Sequence, residues 1–264
     1  MNPKKIILFG TSRLHRPFAK KFNKELVTNF HPSYEIVFPK IGYFHTSAEI
    51  SQAIKFLKDP AILPQEMRQY VFRIEPRATT PLNEFDTELE HSIKSNSPYN
   101  PQVNLGEIQS AILEVSSLSV NKHTETGVFL HTNPNIHRDI PYNQIYPEGY
   151  YNKFLPNLPV ERIETELDQI IMDLRDIKSM QSLKNVVVLS HLRSLKYSNI
   201  QRERIHALTM EACTRTGCTY VDTADILDTY GFAENAGVKD MHHLSHEGET
   251  ALSQRIYAVL DSIS

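Results

Sequence analysis

Short apolar runs alternate along this chain with longer stretches in which apolar residues recur every three or four positions. The runs predict β-strands at Lys5–Phe9, Tyr34–Phe38, Ala111–Val115, Val186–Leu189 and Thr219–Asp222. The intervening stretches predict helices at Arg13–Phe30, Ser47–Leu57, Val160–Met180, Ile200–Thr216 and Ser245–Ser262. Short buried strands that alternate with helices are typical of a parallel sheet covered on both faces. We therefore predict an α/β fold with a central parallel sheet of about five strands.

Two segments lack this periodicity. Residues 75–104 are rich in Pro, Asn, Ser and Thr, and residues 121–159 combine Asn, His, Tyr and Pro. Loops longer than about 12–15 residues within a compact domain are usually functional lids or disordered inserts. The sequence thus predicts a single domain over residues 1–264 with two elaborated loops.

Composition narrows the class of protein. Of 264 residues, 40% are hydrophobic and 22% are charged, which is enough apolar material to bury a core. Lys and Arg number 28 against 31 Asp and Glu, and this balance argues against a nucleic-acid partner. No apolar run approaches the roughly 20 residues of a membrane span, and the run after Lys5 is too short for a secretory signal. With only Cys213 and Cys218, neither a disulfide framework nor a four-cysteine zinc site is possible. We expect a soluble, cytoplasmic globular protein.

Polar residues at strand ends are the first candidates for chemistry, because ligands bind beyond the carboxyl ends of strands in open parallel sheets. Ser12 follows the first predicted strand and opens a helix, where free N–H groups and the helix dipole can stabilise an oxyanion. A serine at this position is equally a favoured helix cap. His191 ends another strand with Arg193 close behind, and the two can bind an anionic or sugar group or merely close the strand.

A second candidate lies just before the final helix. Asp240 and His243 are three residues apart, so a carboxylate on Nδ1 would fix the tautomer of His243 and leave Nε2 to accept a proton from a serine. Ordinary surface residues around a helix cap would show the same pattern. His242 and His246 would join Asp240 in a metal site only if the helix began before Ser245, so we expect no metal.

Taken together, these two segments resemble a known family. Gly10-Thr11-Ser12 after the first strand, and Asp240–His243 followed by Leu244-Ser245 and Gly248, resemble the SGNH/GDSL hydrolase superfamily. In that superfamily a serine follows strand one and Asp-x-x-His lies near the C-terminus. Thr11 stands where the family usually has Asp. The long middle insert is also similar to that of the GSCFA branch, which is associated with bacterial polysaccharides.

The resemblance implies a three-layer α/β/α, flavodoxin-like fold. It further implies that Ser12 is the nucleophile, that His243 is the general base and that Asp240 orients the imidazole. Such chemistry needs no cofactor, and we expect none.

The family's two further oxyanion donors, a Gly after strand two and an Asn after strand three, are less well matched. Gly42 is the candidate for the first. After the third strand the family's Gly-x-Asn-Asp is absent, and Ser117, Asn121 or a backbone amide would have to donate instead. Losing one oxyanion donor costs about 10²–10³ in rate, so this departure bears on efficiency more than on fold.

Two functions follow from these patterns. The first is a serine esterase or O-acyltransferase that acts on an O-acyl group, with acetyl as the expected acyl group. Its expected substrate is a small-molecule or carbohydrate ester. The Tyr, His and Asn residues of 131–152 are of types that stack on sugars and bind hydroxyls, and the same types also suit any solvent-exposed loop. The second is a non-catalytic glycan or nucleotide-sugar binder on the same fold. Neither G-x-G-x-x-G nor G-x-x-x-x-G-K-[ST] occurs, which disfavours a conventional nucleotide enzyme.

Overall fold

A computed structural model describes residues 2–22, 25–28, 31–37, 39, 44–64, 67–71, 103–130, 159–180, 182–197, 199–235 and 237–263. In chain order the strands are β1 (Lys4–Phe9), β2 (Ala19–Phe22), β3 (Glu25–Thr28), β4 (Tyr34–Val37), β5 (Ile108–Val115), β6 (Ser119–His123), β7 (Phe129–Leu130), β8 (Val160–Glu164), β9 (Asn185–Ser190), β10 (Thr219–Val221), β11 (Phe232–Asn235) and β12 (Val238–Leu244). The helices are α1 (Ser12–His15), α2 (Ser47–Lys58), α3 (Arg68–Val71), α4 (Leu167–Lys178), α5 (Ile200–Thr216), α6 (Ala224–Tyr230) and α7 (His246–Ser262).

Five of these strands form the central sheet, in the order β10-β9-β5-β1-β4. Every neighbouring pair is parallel. The carboxyl ends of all five strands therefore lie at one edge of the sheet, where loops from distant parts of the chain can meet. Each of the five predicted strands is present, and the predicted α/β fold with a parallel sheet of about five strands is confirmed.

Helices cover both faces of this sheet. Ile7 and Phe9 of β1 pack into one buried apolar cluster with side chains of α2, α4 and α5. Ile6 and Leu8 pack into a second cluster with side chains of α1, α6 and α7. Because successive side chains of a strand point to opposite faces, the two clusters define three layers, α/β/α. Fully burying each such side chain stabilises the fold by about 1.5–3 kcal/mol.

The predicted helix Arg13–Phe30 is wrong. The chain forms a single helical turn, α1, and then a hairpin in which β2 pairs with β3. Pro17 lies two residues after the end of this turn. Proline has no backbone N–H to donate to the carbonyl of Arg13, as a continuing helix would require, and its ring crowds that carbonyl, so the helix does not continue past this point.

The predicted helix Val160–Met180 is wrong in its first part. Residues 160–164 form β8, which pairs with β6 in a separate three-stranded sheet. The N–H of Thr165 then donates to the carbonyl of Leu118 at 2.6 Å, and α4 begins only at Leu167. Pairing with a distant strand has overridden the local helical spacing, as tertiary contacts often do.

The structure describes only parts of the two expected loops. Residues 72–102 and 131–158 lie outside the described residues. The beginning of the second expected loop is partly regular, because residues 121–123 belong to β6 and residues 129–130 to β7, which pairs with it. Within the described part of the chain, no helix is both long and apolar enough to cross a membrane.

Candidate active site

The first part of the site is the turn that follows β1. Thr11 is the N-cap of α1, and its side-chain oxygen accepts the N–H of Arg13 at 3.3 Å. Ser12 is the first residue of the helix, partly buried at the carboxyl edge of the sheet. The sequence folds this way because the threonine hydroxyl satisfies one of the N–H groups that a helix leaves without an internal partner.

The second part is the hairpin formed by β11 and β12. These strands are antiparallel, and Gly237, with φ of +80°, lies in the turn between them. Asp240 and His243 both lie on β12, which leads directly into α7. Ser245 caps that helix by accepting the N–H of Gly248 at 3.1 Å. The final helix is thus confirmed, and it begins one residue later than the sequence predicts.

These two parts meet in a continuous chain of hydrogen bonds. Ser12 Oγ lies 2.7 Å from His243 Nε2, and His243 Nδ1 lies 2.5 Å from Asp240 Oδ2. An ionised carboxylate can only accept, so Nδ1 carries the proton that it donates to Asp240. Nε2 is then the acceptor of the Ser12 hydroxyl. The three side chains are thus linked in the order hydroxyl, imidazole, carboxylate.

The surroundings of Asp240 favour the ionised form of its carboxyl group. Burial by itself would raise the pKa of this carboxyl, but hydrogen bonds from His243 and from the backbone N–H of His242 outweigh it, so the pKa is lowered. Arg16 adds a cation, with Nη1 4.0 Å from Asp240 Oδ2 and Nε 2.7 Å from Glu249 Oε1. The carboxylate is therefore ionised at neutral pH and able to keep His243 in its tautomer.

A buried acid that the sequence analysis did not select supports the Ser12 turn. Glu114 Oε2 accepts the N–H of Thr11 at 2.8 Å and its hydroxyl at 2.6 Å. Glu114 Oε1 accepts the Nε–H of Arg13 at 2.6 Å. The sequence feature that could have indicated this role is the acidic residue inside the apolar run Ala111–Val115, since acids are rarely buried without partners.

His191 lies directly after β9, at the same edge of the sheet. Its Nδ1–H donates to the carbonyl of Leu192 at 3.0 Å. Burial, and next the positive charge of Arg13, lower the pKa of His191 to about 4. The imidazole is consequently neutral at physiological pH, and Nε2 remains an acceptor.

Ser117 does not offer a free oxyanion donor. Its backbone N–H donates to the carbonyl of His45 at 2.9 Å, as does that of Ser116 at 2.8 Å. Its hydroxyl accepts the N–H of Ser119 at 3.0 Å and donates to the carbonyl of the same residue at 3.1 Å. Both donors of Ser117 are thus used within the fold.

The remaining predicted donors lie elsewhere. Asn121 is in β6, the central strand of the three-stranded sheet, where it pairs with Leu130 and Arg162. Gly42 lies outside the described residues. The structure therefore brings together Ser12, Asp240 and His243, places His191 at the same sheet edge, and places Asn121 in a different sheet.

A metal site formed by His242, His246 and Asp240 would need both histidines on one face of a helix. His242 lies in β12, whereas His246 is the first residue of α7, so the two do not share one helical face. Across the ranges that the structure describes, no three His, Cys, Asp or Glu side chains are grouped so that they could hold a metal ion.

Comparison with known proteins identifies the family. Residues 4–259 match the family model described as the TviD N-terminal domain, and the chain belongs to this family. The match is not to the GSCFA branch, so the similarity to that branch is not supported. Among curated proteins, none matches this sequence.

Similar solved structures include two enzymes. One is Axe2, an acetylxylan esterase from Geobacillus stearothermophilus, at 11% identity and a TM-score of 0.37, covering 97% of this chain and 93% of that chain. Another is LAE5, an alpha/beta hydrolase enzyme from the metagenome of Lake Arreo, Spain, at 10% identity and a TM-score of 0.36, covering 99% of this chain and 96% of that chain.

Proposed function

We propose that this chain is a serine-dependent, SGNH-type ester hydrolase or O-acyltransferase. The proposed reaction removes or transfers an O-acyl group, with acetyl as the acyl group and a carbohydrate as its carrier. The observation that carries the proposal is the hydrogen-bonded chain from Ser12 through His243 to Asp240. Such a chain lets a histidine take the proton of a serine hydroxyl while a carboxylate orients the imidazole.

The reaction uses these three side chains in two half-reactions. Ser12 Oγ attacks the acyl carbonyl carbon while His243 Nε2 takes the hydroxyl proton, and Asp240 stabilises the imidazolium that forms. Collapse of the tetrahedral intermediate breaks the bond to the alcohol, which receives the proton from His243. Water or an acceptor hydroxyl then attacks the acyl carbon and gives its proton to His243, the bond between that carbon and Ser12 Oγ breaks, and His243 returns the proton to Ser12 as the acid or new ester leaves. Hydrolysis or transfer follows from which of the two reaches the acyl group.

The negative oxygen of the tetrahedral intermediate needs donors close to the nucleophile. The N–H of Thr11 is bound by Glu114 and that of Arg13 by the Thr11 hydroxyl. The N–H of Ser12 itself, between them at the start of α1, is the donor that we assign to the oxyanion. A helix start also presents the positive end of the backbone dipoles to the developing charge.

The carbohydrate part of the proposal rests on the sequence. Residues 131–152 contain Tyr, His and Asn side chains of the types that stack on sugar rings and hydrogen-bond to hydroxyls. They follow β7, which is part of the sheet that contains β6.

Turnover of p-nitrophenyl acetate tests the proposal. The wild type is expected to release p-nitrophenol with a burst equal to one equivalent of enzyme, because an acyl-enzyme accumulates. Ser12→Ala should lose the burst and nearly all of the turnover, whereas Ser33→Ala, an exposed serine remote in sequence, should behave as the wild type. Equal turnover by the wild type and Ser12→Ala would overturn the proposal. Saturable glycan binding without any turnover would favour the non-catalytic alternative.

A further inference from the structure

Glu114 is a buried acid in the middle strand of the central sheet. It lies on β5, which has two strands on each side, and its side chain is only 4% exposed. A carboxylate in such a place strongly destabilises a fold unless hydrogen bonds and an opposite charge compensate it. The groups that compensate the charge of Glu114 therefore indicate which part of the fold this acid supports.

All of its described hydrogen-bond partners belong to the two residues that flank Ser12. The backbone N–H and the hydroxyl of Thr11 both donate to Oε2, and the guanidinium of Arg13 donates to Oε1. Burial by itself would raise the pKa of Glu114, but the charge of Arg13 and the hydrogen bonds from both residues lower it. Glu114 is thus an ionised carboxylate that holds the turn from both sides of the nucleophile.

The close approach of the two strands makes this contact possible. A Cβ added at Gly10 would lie 2.7 Å from the Cβ of Glu114, so only glycine allows β1 to end this close to the acid. The Thr11 hydroxyl extends the network by accepting the N–H of Arg13 at 3.3 Å. Both N–H groups adjacent to Ser12 are therefore hydrogen-bonded, which restrains the backbone on either side of the serine.

We propose that Glu114 is a positioning residue for the nucleophile, acting through Thr11 and Arg13 on either side of Ser12. This inference rests on the proposed function, since it concerns the orientation of the same serine. Glu114 itself touches no reacting atom. A misplacement of about 1 Å in a catalytic group can cost about 10² in rate, which sets the scale of the expected effect.

The test is the rate at which a fluorophosphonate probe labels Ser12 in Glu114→Gln. This variant keeps the size of the side chain but loses its charge, and it presents an amide N–H₂ to groups that also donate. We expect labelling to slow by about 10–100-fold, and ester turnover to lose kcat with little change in KM. Asp173→Asn is the matched control, because Asp173 is a buried acid that binds Ser47 and Gln169 instead of the Ser12 turn. It should be labelled at the wild-type rate.

A pair of variants at Thr11 decides the question if Glu114→Gln does not fold. Thr11→Val removes the hydroxyl at nearly constant size, and Thr11→Ser retains it. We expect Thr11→Val to slow labelling about tenfold or more and Thr11→Ser to keep most of the wild-type rate. A wild-type labelling rate in folded Glu114→Gln, or in Thr11→Val where Glu114→Gln does not fold, would overturn the positioning role while leaving the proposed function intact. A wild type that is not labelled at all would overturn the proposed function, and this inference with it.

Discussion

Ser12 Oγ lies 2.7 Å from Nε2 of His243, although the two residues are 231 positions apart in the sequence. The contact arises because Ser12 lies in the turn just beyond the carboxyl end of β1, and His243 lies on β12, the strand that leads into the final helix. The short helix α1, which begins at Ser12, also contacts β12. Both ends of the chain thus contribute to one group of side chains, and the following predictions concern its members.

Asp240→Asn should abolish most activity without unfolding the protein. An amide at this position can donate to Nδ1 of His243 and so favour the tautomer whose Nε2 carries the proton, which cannot accept from Ser12. The corresponding change in a serine protease lowers kcat by about 10⁴-fold, and we expect a loss of that order here. Steady-state kinetics with p-nitrophenyl acetate measure it. Asp225→Asn, which removes an exposed partner of Arg255, is the control and should retain wild-type kcat; equal kinetics in both variants would contradict the orienting role of Asp240.

His191→Ala should weaken substrate binding more than it slows chemistry. The imidazole lies at the carboxyl edge of the sheet with Nε2 available to accept from a substrate hydroxyl. We expect a several-fold higher KM for an acetylated sugar and an unchanged rate of labelling by a small fluorophosphonate. Because its pKa is lowered to about 4, His191 is neutral above about pH 5, so wild type and variant should share the same pH dependence of kcat there. A change in the neutral pH profile would show that His191 titrates in the reaction.

Gly10→Ala should damage both stability and activity. The new Cβ would meet the Cβ of Glu114 at 2.7 Å and Cδ2 of Leu14 at 3.0 Å, so β1 or β5 must shift. Overpacking of this kind costs about 1–3 kcal/mol in the free energy of unfolding, which urea denaturation measures. Gly106→Ala is the control, since its nearest neighbour is the end of the Asn104 side chain at 3.2 Å. A Gly10→Ala protein as stable and active as that control would contradict the packing described for this turn.

Asp173 should make the stability of the protein depend on pH in a specific direction. Burial, chiefly, raises the pKa of Asp173 to about 6, although Ser47 and Gln169 donate to it. Between about pH 4 and pH 6 the folded protein binds more protons at this site than the unfolded chain, so stability falls as pH rises through this window. Asp173→Asn lacks this titrating carboxyl. Relative to that variant, the free energy of unfolding of the wild type should fall by about 2 kcal/mol between pH 4 and pH 7. Urea denaturation at several pH values measures the difference, and parallel stability curves for the two proteins would contradict the raised pKa.

The sheet and the Ser12–His243–Asp240 group could be anticipated because their signals are local. Buried parallel strands are continuous apolar runs, and the carboxyl ends of such strands meet at one edge. The helix expected at Arg13–Phe30 could not be rejected on apolar spacing, and Pro17 was the residue that contradicted it. Strand β8 depends on pairing with β6, a contact between segments about 40 residues apart that no local pattern contains.

The role of Glu114 was hidden for a related reason. Its partners Thr11 and Arg13 are 103 and 101 positions away, so the network exists only once β5 lies beside β1. Likewise, Ser117 was a reasonable oxyanion donor until the structure showed that His45 and Ser119 take its hydrogen bonds. Strand-end residues can be selected from sequence, but whether their polar atoms are free depends on neighbours that only the fold supplies.

The most direct test of the account is the site at which a fluorophosphonate probe attaches to the native wild-type protein, read by peptide mass spectrometry. Phosphonylation requires a serine activated by a neighbouring base, so the account predicts a single modified residue, Ser12, in a protein that is inactivated stoichiometrically. Denatured protein should not react. Absence of labelling in the folded protein, or labelling at a different serine, would contradict the proposal that Ser12, His243 and Asp240 form a catalytic triad.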